Sequence, residues 1–308
     1  MLWLVLQNLR SYPMKILHHF GCGLIRLLGM LPLRLLTLLG YFVGLLYWQV
    51  GKRERRISLA NIQLCYPNLS TKEQRRMAKN SLINTSICMI ESTWVWAHKY
   101  PAIAKKVRSV ENEDLVKNTV AEGRGVVLVL AHFGNWEIYP DYVGHNYKNG
   151  VALVKDTELA AFDKLLHKSR GRSGGTVAPC TREGLTGMYQ LIAKGGVAAV
   201  GADQEPDRKH GCFAPFFGQQ ALASVLTQDI VQKTGAKAIG STFLRLPKGR
   251  GYALKFFEID KDIYSKDINK STTALTRAHE QIISIQPEQY NWCYKRFRAR
   301  PEGEANIY

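Results

Sequence analysis

Val126-Val127-Leu128-Val129-Leu130-Ala131, followed directly by His132-Phe133-Gly134-Asn135-Trp136-Glu137, is the stretch that decides the fold. The first six residues are apolar, largely β-branched and preceded by Gly125, so they read as a strand buried on both faces. Such strands belong to sheets covered by helices on each side. The surrounding chain agrees. Further strands are expected at Val151–Lys155, Val197–Gly201, Ala236–Leu246 and Tyr252–Ile259, with helices near 157–171, 183–194, 224–234 and 271–286. Ser224 is placed to cap the third of these helices and Gly235 to close it. Leu246-Pro247-Lys248-Gly249-Arg250-Gly251 is a hairpin turn signal. Upstream, residues 57–100 read as helices, with Ser70 and Glu73 spaced as a capping box. The fold class is α/β, a mixed sheet flanked by helices.

Outside that sheet the N-terminus stands apart. Residues 35–51, LLTLLGYFVGLLYWQVG, carry no charge and span about 25 Å as a helix at ~1.5 Å per residue. Extension back to Leu27, with Arg34 snorkelling, reaches the ~30 Å of a hydrocarbon core. A membrane-anchor helix is expected, spanning or interfacial. Lys52, Arg53, Arg55 and Arg56 follow it and place the remainder of the chain in the cytoplasm. Residues 1–56 are therefore read as an anchor with its basic juxtamembrane segment, and 57–308 as the α/β domain.

Charge narrows the classes further. The 308 residues include 42 Lys and Arg against 25 Asp and Glu, a net charge of +17, which calls for an acidic partner or surface. The chain is too polar for a polytopic transporter and too apolar for a disordered protein. Its six cysteines (Cys22, Cys65, Cys88, Cys180, Cys212, Cys293) never form C-x-x-C, so neither a zinc site nor a disulfide framework is expected. No metal and no cofactor is called for.

Four constellations are candidates for chemistry. The buried strand delivers His132 at its C-terminal end, where open α/β sheets place ligands. Across the Gly134 turn, Glu137 is placed to approach His132, and a carboxylate against imidazole makes a general base for a hydroxyl. A second loop, Asp203-Gln204-Glu205 and onward through Phe213 to Gly218, follows the strand Val197–Gly201. In it Asp203 is placed to orient a basic group or a polar substrate atom. Gly171-Arg172-Ser173-Gly174-Gly175 matches the G-x-S-x-G nucleophile elbow in form, but residues 162–168 before it read as a helix where the elbow needs a strand. Lys295, Arg296, Arg298 and Arg300 form a basic stripe interleaved with Tyr294 and Phe297. No nucleic-acid-binding motif accompanies the stripe, and no nucleic-acid partner is expected.

Together His132-x-x-x-x-Glu137, Asp203-Gln204 with Gly211-x-Phe213-x-Pro215-Phe216-Phe217-Gly218, and Gln289-Tyr290-x-Trp292 with Arg296-Phe297-x-x-Arg300-Pro301 resemble the bacterial lipid A late acyltransferases. These belong to the lysophospholipid acyltransferase superfamily, and the resemblance covers nearly the whole chain. It implies a membrane-associated O-acyltransferase of lipopolysaccharide biosynthesis at the cytoplasmic face of the inner membrane. The acyl donor would be acyl carrier protein and the acceptor an anionic Kdo-bearing lipid A precursor, with His132 and Glu137 as the catalytic dyad. It also implies a substrate-binding or oxyanion arginine, at Arg170 or Arg172, and a further basic position at Arg182. Glu205, where aspartate is common, and Cys293-Tyr294-Lys295, where a histidine and an arginine are common, depart from the family pattern and bear on acceptor preference. The rival readings are an acyltransferase for another glycolipid or pigment, a Ser173 esterase, and a basic membrane scaffold or nucleic-acid binder.

Overall fold

The computed structural model describes residues 14–157 and 159–308, with side chains from Gly21 onward. Residues 1–13 of the expected anchor segment and Glu158 of the helix expected from 157 lie outside the described residues. The strands are β1 (Val107–Glu111), β2 (Val126–Leu130), β3 (Val151–Val154), β4 (Thr176–Pro179), β5 (Val197–Gly201), β6 (Gly211–Phe216), β7 (Gln219–Ser224), β8 (Lys237–Arg245) and β9 (Tyr252–Glu258). Seven of them form one mixed sheet in the order β1-β9-β8-β2-β5-β3-β4. β2 runs parallel to both β5 and β8, β3 runs parallel to β5 and β4, and β9 turns back antiparallel on β8. The C-terminal ends of β2, β3, β4, β5 and β8 therefore share one edge of the sheet.

The central strand feeds two cores. Val126, Leu128 and Leu130 pack with Leu36, Val95, Val116 and Tyr139 on one side. Val127 and Val129 pack with Met188, Ile230 and Leu275 on the other. The helices supplying these layers are α1 (Met14–Gly29), α2 (Leu33–Val50), α3 (Lys52–Cys65), α4 (Thr71–Ala97), α5 (Tyr100–Ala104), α6 (Asp114–Ala121), α7 (Tyr139–Asn146), α8 (Ala160–Arg170), α9 (Arg182–Ala193), α10 (Leu226–Thr234) and α11 (Ile268–Ile285). α4 opens with the expected capping box: the Ser70 hydroxyl accepts from the Glu73 N–H, and the Glu73 carboxylate accepts from the Ser70 N–H. Gly235 closes α10 in the left-handed conformation, φ 69°.

The apolar helix is shorter than the sequence allows. The chain breaks between α1 and α2, with Pro32 capping α2, so residues 27–51 do not form one continuous helix. Proline lacks the N–H and its ring crowds the preceding turn, which ends a helix where a hydropathy window runs on. α2 has 18 residues, about 27 Å. One face, Leu33, Leu36, Gly40, Gly44, Tyr47 and Trp48, is buried. There α4 comes so close that a Cβ on Gly40 or Gly44 would lie 2.6 Å from the Cα of Ile87 or Ile83. The other face exposes Leu35, Leu38, Tyr41, Phe42, Leu46 and Val50, continued by Leu24 and Leu27 on α1 and by Met30 just past its end. The basic run forms the first turn of α3, where Arg55 donates to the carbonyls of Trp48 and Gln49 at the end of α2.

Three further departures from the expected pattern have local causes. Gly211–Gly218 is not an open loop but most of the β6–β7 hairpin, whose turn puts Phe217 (φ 48°) and Gly218 (φ 77°) in the left-handed region. Asparagine or glycine normally marks such a turn; here the Glu280 carboxylate accepts the Phe217 N–H at 2.6 Å and holds the phenylalanine there. Ser224 ends β7 instead of capping α10, its hydroxyl accepting from Leu226 N–H at 3.2 Å. The C-terminal stripe is largely drawn into the fold, and of its four cations only Arg298 is exposed. Arg296 is buried over the Phe216 ring, Arg300 donates to the Gln220 carbonyl, and Arg298 pairs with Glu205.

Candidate active site

At the C-terminal edge of the sheet, neighbouring strands β2 and β5 deliver His132 and Asp203. The His132 Nδ1 lies 2.7 Å from Asp203 Oδ1, and the His132 backbone N–H donates to Asp203 Oδ2 at 3.1 Å. Two contacts from one carboxylate fix both the ring and its backbone. Asp203 is 1% exposed while the His132 side chain keeps 26% of its surface, so the ring is the reachable member of the pair. With Nδ1 taken by a carboxylate, the proton sits on Nδ1 and the lone pair on Nε2. Nε2 has no hydrogen-bond partner among the described residues. The Trp136 ring stands edge-on to the imidazole, with centroids 5.2 Å apart.

Glu137 is placed differently from the sequence expectation. It lies in a 3-10 turn, Trp136–Ile138, and its carboxylate is taken by α8 and α4. Arg170, the last residue of α8, donates to it twice, at 2.7 and 3.1 Å, and the Trp96 indole N–H donates at 2.8 Å. The carboxylate in contact with the imidazole is therefore that of Asp203, and Glu137 acts on His132 through its charge alone. The five-residue span across the turn brings Glu137 near the ring but aims it at the guanidinium. The two arginines also separate: Arg170 holds Glu137, whereas Arg172 donates to the Trp96 carbonyl at the end of α4. Arg182 stands exposed at the start of α9, after β4, on the same edge of the sheet.

These pairings set the protonation states. Burial disfavours the His132 cation, but the Asp203 charge and hydrogen bond, with the Glu137 charge, outweigh it and raise the pKa above 6.5. Burial also opposes the charges of Asp203 and Glu137; the His132 contact holds Asp203 well below the usual carboxylate range, and Arg170 with Trp96 lowers Glu137. Behind Asp203 lies His279 of α11, which burial pushes down to about 4. The site thus contains an imidazole whose Nε2 is available when the ring is neutral, an ionised carboxylate that orients the ring and favours its cation, and an ion pair beside it.

The serine alternative loses its geometry. Ser173 lies between α8 and β4, a helix-to-strand turn, and its hydroxyl donates to Asp141, whose carboxyl burial raises to about 7. Sequence reasoning missed Trp96, which lies in an apolar run without any motif, and did not identify His132 as the basic group that Asp203 orients.

A histidine at a strand end, oriented by a buried carboxylate and open at Nε2, is the arrangement of an enzyme that takes a proton from a hydroxyl. Comparison with known proteins agrees with that class. The profile of the family described as bacterial lipid A biosynthesis acyltransferase matches residues 6–299. The lipid A biosynthesis palmitoleoyltransferase of Escherichia coli (strain K12) is 28% identical over 302 residues, 96% of each chain. The lauroyltransferase of the same strain is 26% identical over 312 residues, covering 98% of this chain and all of the relative, and its myristoyltransferase is 20% identical over 274 residues, covering 89% and 83%. The chain belongs to the bacterial lipid A biosynthesis acyltransferase family.

Proposed function

We propose that the protein transfers a fatty acyl chain from acyl carrier protein to a hydroxyl of a lipid A precursor, at the cytoplasmic face of the inner membrane. The observation that carries this reading is the His132–Asp203 pair with its open Nε2, set in a chain of this family. His132 Nε2 takes the proton of the acceptor hydroxyl as its oxygen attacks the thioester carbonyl. The C–S bond then breaks, and the thiolate takes the proton back from the imidazolium, leaving an ester and a free thiol. Asp203 orients the ring and stabilises its cation. Glu137 adds negative charge and holds Arg170 beside the reacting centre, where its guanidinium serves the oxyanion or an acceptor phosphate.

Membrane attachment rests on α1 and α2. A helix with one face closed against α4 offers lipid only its other face, so the pair lies in one leaflet as an interfacial anchor and does not span. The net charge of +17 suits both anionic headgroups and an acidic carrier protein. Mass spectrometry of lipid A from cells with and without the gene tests the proposal. An acyl-sized mass difference is expected, and an unchanged profile points to another acceptor. With purified protein, acyl carrier protein is expected to outcompete acyl-coenzyme A at about 50 mM salt and to lose that advantage at about 300 mM, because steering decays over a Debye length of ~8–10 Å. Equal use of both donors at low salt removes the carrier from the reading.

A further inference from the structure

Beneath the 132–137 loop lies a charge pair that the reaction does not touch. Glu91, in the last third of α4, is fully buried, and Arg245, the last residue of β8, is 4% exposed; Arg245 Nε donates to Glu91 Oε2 at 3.0 Å. Each of the other two guanidinium nitrogens also has a partner. Nη1 reaches Asn84 Oδ1 at 2.8 Å, and Nη2 reaches the Gly134 carbonyl at 2.8 Å. On the other side, Glu91 Oε2 accepts from the Tyr252 hydroxyl and Oε1 from the Thr37 hydroxyl of α2, at 3.1 and 2.6 Å. Tyr252 in turn accepts from the Asn135 side chain at 3.1 Å. Gln289 brackets the Arg245 backbone with two hydrogen bonds and accepts the Gly134 N–H on its own carbonyl.

Stability does not account for this pair. Burying two charges is costly, and apolar residues of similar volume usually hold a fold as well or better. What the pair supplies is a fixed donor aimed at one carbonyl, two residues beyond His132 and three before Glu137. Gly134 has φ 63°, and a Cβ there would fall 1.9 Å from the Phe243 carbonyl oxygen, so no side chain at that position is available to anchor the loop. Its backbone supplies the handles, the N–H held by Gln289 and the carbonyl by Arg245.

We infer that Arg245, locked by Glu91, is a positioning residue for the acyl transfer: it holds the Gly134 carbonyl and thereby sets His132 against Asp203, and through Thr37 it ties that setting to the seating of α2. The inference rests on the proposed function for its kinetic arm, but not for its spectroscopic one. A displacement of about 1 Å at a reacting group costs roughly 10²-fold in rate.

Two variants of the full-length protein test it. Arg245→Lys keeps the attraction to Glu91 but lacks the planar fork that reaches Glu91 and Gly134 together. The double variant Glu91→Leu/Arg245→Met removes both charges together, so no buried charge is left unpaired, although the Gly134 carbonyl and the Tyr252 hydroxyl lose a partner. Both are expected to fold with a lowered melting temperature and to keep KM, while kcat falls about 10²-fold. The His132 pKa, followed by NMR of labelled histidine and assigned with His132→Ala, is expected to fall as the ring loosens from Asp203. Thr37→Val should show the same changes at smaller size. A purely structural pair would shift the melting temperature and leave the kcat of folded protein and the His132 pKa unchanged. Wild-type kcat and His132 pKa in folded Arg245→Lys overturn the inference, even where the double variant fails to fold. A wild-type protein that transfers no acyl chain, with the His132 pKa still falling in Arg245→Lys, strikes the proposed function and spares the positioning role.

Discussion

β2 and α2 are both written almost entirely in apolar residues, and they use them in opposite ways. Every residue of β2 is buried, because β5 and β8 flank it and helices cover both faces. α2 buries only the face carrying Gly40 and Gly44 and turns Leu38, Phe42 and Leu46 outward. An apolar run states that water is to be avoided; what replaces water is decided by the neighbours. For β2 the neighbours are other strands of the same chain. For α2 they are α4 on one side and, in the proposed interfacial seating, lipid on the other.

Substitutions pull the two regions apart. Val127→Asp puts an unpaired charge into the sheet and should cost about 4–5 kcal/mol or more, enough to abolish folding. Phe42→Asp should shift stability by only about 0.5 kcal/mol, yet reduce flotation with anionic liposomes several-fold. Equal loss of stability in both variants would show that the outer face of α2 is covered by protein.

Where β2 ends, the difference becomes chemical. His132→Ala is expected to lose about 10²–10⁴ in kcat, with Ser173→Ala near wild type. The pH profile then separates the two carboxylates. The base must be neutral, so kcat/KM rises with pH through the His132 pKa, which the folded protein holds above 6.5. Asp203→Asn removes the largest raising influence and leaves burial dominant, so the acid limb should move to lower pH as the rate falls. Glu137→Gln should move it the same way by less. A larger shift in Glu137→Gln than in Asp203→Asn would return the orienting role to the residue that sequence spacing favours. At the seam between the regions the effect is on stability alone. Gly44→Leu forces α2 off Ile83 and should cost about 1–3 kcal/mol, measured as a lower melting temperature.

The parts of this molecule legible in its sequence are those governed by local rules. β2, β5, the β8–β9 hairpin and the Ser70 capping box follow from apolar runs and turn chemistry, and His132 is marked by where its strand stops. The partner of that histidine is another matter. Asp203 arrives from a neighbouring strand 71 positions on, through the pairing of Leu130 with Gly201, and no local pattern encodes which strands adjoin. Glu137 lies near His132 in sequence and is diverted by Arg170 and Trp96, contributed by two other helices. The β6–β7 turn escapes because phenylalanine occupies a position where asparagine is the usual signal. Even the length of α2 needs more than hydropathy: Pro32 is visible in the sequence, but a window over 27–51 averages across it.

Sheet order also sets a timetable. β2 cannot be completed when it is made, because its flanking strands are β5 and β8, and β8 begins only at Lys237. At ~5–20 residues per second of synthesis, the strand that will carry His132 waits on the order of ten seconds for its second neighbour. α2 and α4 are complete long before that, since both lie within the first hundred residues. In the proposed interfacial seating, the apolar face of α2 can therefore reach a bilayer while the sheet is still unfinished, and the nascent chain would meet lipid before His132 and Asp203 are brought together.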